Sequence, residues 1–196
     1  MLIKYKDTNS IVLGIPSGGV PVASEIADAL HLTIDFIIVR KIQIPYNPEA
    51  GFGAVGPDGE VILNERLLGQ MGLTDTEKNA QIKKTKEIIK RRNQLFRGER
   101  PPPLLKDKNV IVVDDGLASG YTMLAAVRYV KRKMPHEVII AVPTGAERTV
   151  NFILPEADKL LCLNVRSGFH FAVAEAYRNW YDLTDEEVIS IVKKYF

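Results

Sequence analysis

Apolar positions along the chain fall into two patterns that alternate: short unbroken runs, and longer stretches with a helical period. Residues 10–15 form an unbroken run that stops at Pro16-Ser17-Gly18-Gly19, and residues 20–30 then place apolar side chains at helical spacing. A second β-rich run, residues 35–39, ends abruptly in two cations, Arg40 and Lys41, which makes that strand end a candidate site. The strongest continuous run is 109–113, followed by a helix over 121–134, a strand over 137–142, a helix over 146–154 and a strand over 159–165. Continuous apolar strands are buried on both faces, and strands alternating with helices predict an α/β fold: a Rossmann-like, mostly parallel sheet with helices on both faces.

Between these elements the pattern changes. Residues 43–64 are rich in glycine and proline and flank the turn Gly56-Pro57-Asp58-Gly59, which predicts a long loop containing a hairpin; loops of this length commonly serve as lids. Thr74 or Asp75 caps a helix predicted to reach Phe96, whose lysines and arginines outnumber its apolar residues, so it reads as a solvated, peripheral element. Residues 98–103 form a rigid connector. The last part of the chain holds the aromatic residues Phe169, Phe171, Tyr177, Trp180 and Tyr181, then Thr184-Asp185-Glu186-Glu187, the pattern of a capping box. The expectation is one domain over 1–196, with 42–64 as a lid, 74–103 as a peripheral helix and connector, and 166–196 as a C-terminal hood and helix.

Composition narrows the function classes. With 46% hydrophobic and 26% charged residues the chain is an ordinary globular one, and a net charge of +2 is too small for a general nucleic-acid footprint, so any anion site is local. The single cysteine, Cys162, excludes an internal disulfide and sits in an apolar run, the expected place of a buried strand residue. No secretory signal pattern and no apolar stretch of membrane-spanning length occurs, and a cytoplasmic location is the expectation.

The chemistry concentrates after the strand at 109–113. It delivers two carboxylates, Asp114 and Asp115, then Gly116-Leu117-Ala118-Ser119-Gly120-Tyr121-Thr122, then a helix. Open α/β sheets bind ligands at such strand ends. Glycines at 116 and 120 permit a tight loop with exposed N–H groups, the helix N-terminus adds positive potential, and Ser119 and Thr122 add hydroxyls, so the segment suits a phosphate. Adjacent carboxylates suit the hydroxyl pair of a sugar, and the two features together fit ribose 5-phosphate. This segment lacks the G-x-G-x-x-G spacing and the chain has no G-x-x-x-x-G-K-[ST] loop, which disfavours dinucleotide binding at this segment and nucleoside triphosphate hydrolysis. His31, His136 and His170 stand apart from catalytic partners, and the chain has no His/Cys cluster for a transition metal.

The string VVDDGLASGYTM resembles the phosphoribosyl pyrophosphate signature of type I phosphoribosyltransferases, and residues 14–19 resemble the pyrophosphate loop of that family. Arg40-Lys41, Asn47-Pro48-Glu49 and Gly53-Ala54-Val55 resemble a subgroup whose substrate is generally unassigned. The resemblance implies the type I phosphoribosyltransferase fold and catalytic roles for Asp114 and Asp115 on the ribose hydroxyls. It implies a 5-phosphate site built from Ala118, Ser119, Gly120, Tyr121 and Thr122, with Gly116 and Leu117 also binding substrate, and a pyrophosphate site built from Ser17, Gly18, Gly19, Arg40 and Lys41. It implies magnesium (Mg2+), held mainly by substrate oxygens and water, and phosphoribosyl pyrophosphate plus a small-molecule base as partners. Nucleic acid and membrane are not expected partners, and assembly into a homo-oligomer stays open. Ser17 departs from the subgroup, which often has a basic residue there; Tyr121 replaces a smaller residue; and Arg166-Ser167-Gly168 lacks an expected proline. Three functions remain: a phosphoribosyltransferase, a non-catalytic sensor of the same ligand that binds nucleic acid or a protein through its basic helix, and a protein that binds some other sugar phosphate.

Overall fold

The central sheet follows from the unbroken apolar runs. In the computed structural model, which describes residues 1–168 and 171–195 with backbone alone at positions 48 and 49, five strands pair in parallel in the order β2-β1-β6-β7-β8. They are β1 (Ser10–Gly14), β2 (Thr33–Phe36), β6 (Asn109–Val113), β7 (Glu137–Ala146) and β8 (Lys159–Arg166). Successive side chains of β1 and β6 go to opposite faces and both faces are covered, which is why these strands lack polar alternation. Ile11, Leu13, Val110 and Val112 pack with helix α4 (Tyr121–Lys131) on one face, while Val12, Ile111 and Val113 pack with helix α1 (Gly19–Leu30) on the other. Helix α5 (Glu147–Ile153) crosses between β7 and β8.

The hairpin expected around the turn at 56–59 is present, and the segment expected to be a long loop around it is a second sheet. Strands β3 (Arg40–Ile44), β4 (Asn47–Val55) and β5 (Val61–Leu63) pair antiparallel in that order. Ile42, Phe52, Ala54 and Val55 are fully buried, so this segment belongs to the core, and the exposed Tyr46 marks the turn that stands clear of it. The second β-rich run also ends earlier than its apolar pattern suggests. β2 stops at Phe36, and Ile37–Val39 continue as a buried connector between the sheets, with the Ile37 N–H bonded to the Gly14 carbonyl at 3.0 Å. Arg40 and Lys41 therefore begin β3, opposite Val55 and Ala54, instead of ending a strand of the parallel sheet.

The basic helix, α3 (Asp75–Arg97), starts with a full capping box at Thr74 and Glu77. It is integrated on one side: Thr85, Ile89 and Phe96 are buried, and the latter two share a third apolar cluster with β3, β4 and the terminal helix α6 (Asp185–Val192). Its C-terminal end is fastened by Arg97, which forms a two-pronged ion pair with buried Asp35, 3.0 Å on each prong. A short helix not foreseen from sequence, α2 (Glu65–Met71), precedes it. β8 lies at the sheet's edge, and Cys162 is half-buried there, contrary to the expected buried position, while Leu163 is 80% exposed. Among the described residues no helix is long and apolar enough to cross a membrane.

Candidate functional site

The chain leaves β1 toward β2 on one side and leaves β6 toward β7 on the other, so the carboxyl ends of β1 and β6 form the point where strand order reverses. Loops diverge at such a point and leave a crevice. Here a cleft of about 960 Å³ opens between them, bounded by residues 15–18, 39–43, 114–120 and a C-terminal stretch around 177–183.

Most residues expected from sequence meet in this cleft: Ser17, Gly18, Arg40, Lys41, Asp114, Asp115, Gly116, Leu117, Ala118, Ser119, Gly120 and Thr122 all line it. Two stand apart from its lining. Gly19 sits behind the wall, where an added methyl group would stand 2.6 Å from the Val113 carbonyl and 2.8 Å from Asp114 Cα. Its part is to let α1 approach β6. Tyr121 turns its ring outward onto Phe152, 5.6 Å between centroids, so it leaves the loop at 116–120 uncrowded. Phe169 and His170, expected near the hood, lie outside the described residues, as do the side chains of Pro48 and Glu49.

The acidic pair stands at the end of β6. Asp114 Oδ1 accepts the Asp115 N–H at 2.9 Å. Burial pushes the Asp114 carboxyl pKa well up, and the neighbouring Asp115 charge adds to the rise. Burial likewise raises Asp115. Two desolvated carboxylates so close favour a proton, a cation or sugar hydroxyls between them. The Asp115 carboxylate packs so tightly on Gly18 that any side chain there would overlap it. This contact joins the loop after β1 to the loop after β6; the Pro16–Ser17 peptide in the first loop is cis.

The second loop is held by the sheet. The Leu117 N–H donates to the Thr144 carbonyl and its own carbonyl accepts from Ala146 N–H, both at 3.0 Å, while Thr149 Oγ1 donates to the Ala118 carbonyl at 2.5 Å. Gly120 caps α4 in the left-handed conformation at φ 83° without any side-chain cap. The first N–H groups of a helix have no partner within it, so the start of α4 faces the cleft with free donors and the positive end of its dipole. Exposed Ser119 and half-buried Thr122 add hydroxyls beside them.

Cations and aromatics close the remaining sides. Burial, and then the charge of nearby Arg92, pull the Arg40 pKa down, while Asp185 acts in the opposite sense. On the C-terminal side Tyr177 donates its hydroxyl to the Asp115 carbonyl at 2.7 Å and lies 5.2 Å from the Trp180 ring. Burial and the two aspartates push the Tyr177 phenol up to about 12, so it remains a donor. Trp180 and Tyr181 line the cleft and remain 40% and 60% exposed, so their rings are available to a ligand.

Arg92 is the main residue that sequence reasoning passed over. Its Nη2 donates to Asp185 Oδ1 at 2.7 Å and lies 3.4 Å from Ser17 Oγ, so it enters the cleft from α3. A signal existed: positions 85, 89, 92 and 96 form one helical stripe whose other members are buried, and a cation on that stripe points inward.

The family model for the phosphoribosyl transferase domain matches residues 2–178. A Mycobacterium tuberculosis protein provisionally named a phosphoribosyl transferase is 36% identical over 184 residues, which is 94% of this chain and 41% of that protein. The chain thus spans about two-fifths of the length of the curated relatives it matches. Among solved structures, TT1426 from Thermus thermophilus is similar with a TM-score of 0.74 and 33% identity, over 95% of this chain and 88% of that one. AQ2163 from Aquifex aeolicus shares the fold at a TM-score of 0.52 and 14% identity, over 83% of this chain and 57% of that one.

Proposed function

Because the chain belongs to the phosphoribosyl transferase domain family, we propose that it transfers the 5-phosphoribosyl group from phosphoribosyl pyrophosphate to a nitrogenous base and releases pyrophosphate. The observation that carries this reading is the meeting of an acidic pair, Asp114 and Asp115, with the open N-terminus of α4 in one cleft. A phosphate accepts hydrogen bonds and a ribose edge donates them, and these two groups of residues have the opposite preferences side by side.

In this reading the 5-phosphate rests on the N–H groups at the start of α4 with Ser119 and Thr122, and the ribose 2′ and 3′ hydroxyls donate to Asp114 and Asp115. Lys41 and Arg40 lie on the side where the leaving group departs. The C1–O bond to pyrophosphate breaks with its electron pair on the leaving oxygen, a base nitrogen forms the new bond to C1, and the nitrogen's proton is lost to solvent. The sugar passes through an oxocarbenium-like state, so fixed charges and positioning supply the rate, without a covalent enzyme intermediate. The two carboxylates face this positive ring, and the cations face the growing negative charge.

Among the described residues no group of three or more His, Cys, Asp or Glu side chains gathers to hold a metal ion. The raised pKa values of Asp114 and Asp115 mark a place that welcomes added positive charge. Magnesium fits there as a companion of the substrate, bound mainly through its oxygens and water, and would supply neutralisation of the pyrophosphate. Trp180 and Tyr181 offer the stacking surface for the acceptor base.

Pyrophosphate release from phosphoribosyl pyrophosphate, measured with magnesium across a panel of purine, pyrimidine and related bases, tests the proposal. At least one acceptor is expected to give turnover that Asp114→Asn and Asp115→Asn each suppress. Silence across a broad panel, or full activity in both variants, refutes it.

A further inference from the structure

The loop after β1 carries no cation of its own: Pro16, Ser17, Gly18 and Gly19 are all neutral. A polyanionic leaving group released against such a loop needs positive charge from elsewhere in the fold. Arg92 occupies that position. Its guanidinium comes from α3, far away in sequence, and ends beside Ser17 Oγ at 3.4 Å on the wall of the cleft. The side chain is 16% exposed, and its Nε is buried without a hydrogen-bond partner among the described residues. An orphaned buried donor on a charged group is costly unless an acceptor arrives.

The arrangement also has a holder. Asp185, the first residue of α6, binds Arg92 Nη2 at 2.7 Å and is itself 19% exposed. The Phe96 ring lies 5.7 Å from the Arg92 guanidinium carbon, one helical turn on. Carboxylate and ring leave the guanidinium little choice of direction other than toward Ser17. Arg40 is close enough for the two cations to oppose one another, and Asp185 offsets that opposition.

We propose that Arg92 supplies the pyrophosphate-facing cation which the loop after β1 lacks, and that Asp185 is its positioning residue. This rests on the transferase reading above and adds a residue to it. The incoming oxyanion binds the guanidinium beside Ser17, and the ion pair to Asp185 holds the guanidinium in place for it. A consequence is that α3 and α6, outside the parallel sheet, determine affinity for the leaving group.

The test compares magnesium pyrophosphate and ribose 5-phosphate as separate probes by calorimetry on the full chain. Arg92→Met is expected to weaken pyrophosphate binding by roughly 10- to 100-fold, as for loss of a hydrogen bond to a charged group, and to leave ribose 5-phosphate affinity within about twofold, the factor of an ordinary context effect. Arg92→Lys retains the charge and is expected to recover part of the loss. Asp185→Asn is expected to weaken pyrophosphate binding less than Arg92→Met does. Thermal unfolding of each variant without ligand verifies that it is folded. Equal loss of both probes in Arg92→Met would mean a structural role and overturn the proposal, as would unchanged pyrophosphate binding. Failure of the unaltered protein to bind pyrophosphate overturns the transferase reading and this one together, whereas a normal wild-type response that Arg92→Met leaves intact overturns this one alone.

Discussion

Replacing Arg97 by methionine removes a cation from one of the most enclosed ion pairs of the molecule. Arg97 and Asp35 are 11% and 7% exposed, and their two parallel contacts are 3.0 Å each. Arg97 also donates to the Phe36 carbonyl at 3.1 Å and the Pro101 carbonyl at 3.2 Å, and its guanidinium carbon stands 4.6 Å over the Phe36 ring. Methionine fills similar volume and retains contact with the ring, so the main loss is electrostatic. Asp35 would stay buried, retaining the Phe36 N–H at 2.7 Å as a donor but no neutralising charge on its two outer contacts. Breaking a buried pair from one side costs about 3–5 kcal/mol. For a domain of this size each kcal/mol corresponds to about 2–4 °C, which places the expected fall in Tm at about 6–20 °C. Removing both charges in Asp35→Asn/Arg97→Met is expected to recover much of the loss, since the uncompensated carboxylate is gone. Urea and thermal unfolding followed by circular dichroism give the full double-mutant cycle. A cost below about 1 kcal/mol for Arg97→Met, the level of an exposed pair, would refute the idea that this contact fastens α3 to the parallel sheet.

Two further outcomes concern the acidic pair. Asp114 binds a proton more tightly folded than unfolded, so its contribution to stability falls as pH rises from the unfolded carboxyl value, about 3.9, through the raised folded value. Asp114→Asn is expected to have a higher Tm than the parent near neutral pH, with the gap closing toward acid; a lower Tm at neutral pH would contradict the burial argument. Gly18→Ala drives a methyl group into the space of the Asp115 carboxylate, and ribose 5-phosphate affinity measured by calorimetry is expected to drop by roughly tenfold, about one charge-assisted hydrogen bond; unchanged affinity would show that the carboxylate has no fixed task.

The parallel sheet was legible because its determinants are local. Val110 to Val113 can only be a strand covered on both sides, and the breakers on either side of it locate the site at its end. The loop from Gly116 to Thr122 was legible as one wall of the cleft for the same reason, as its residues lie in a single stretch. What escaped is set by distance in sequence. Ile37, Ile38 and Val39 look like strand because they are apolar, yet they are buried as a connector between two sheets. Glycine-rich residues 43–64 look like a loop around a hairpin; the hairpin is there, yet Phe52 is fully buried and β3 extends the hairpin into a three-stranded sheet. Cys162 reads as interior because its neighbours are apolar, while the strand carrying it has a neighbour on one side only. Arg92 was hidden among lysines and arginines of a helix that looks all surface by composition; its stripe, shared with Ile89 and Phe96, held the information that the tally of charges concealed. That inward stripe also weakens the argument for a nucleic-acid surface, since Arg92 and Arg97 are engaged within the protein.

The third apolar cluster has a consequence of its own. It packs the antiparallel sheet, α3 and α6 around Ile42, Phe52, Ile89, Phe96 and Val188, and Val20 of α1 and Phe36 of β2 join it to the parallel sheet. Proteins open in cooperative blocks, and elements that share an interior open together. Amide exchange from β3, α3 and α6 is therefore expected with one common free energy, and each such opening would carry Arg40, Arg92 and Asp185 away together.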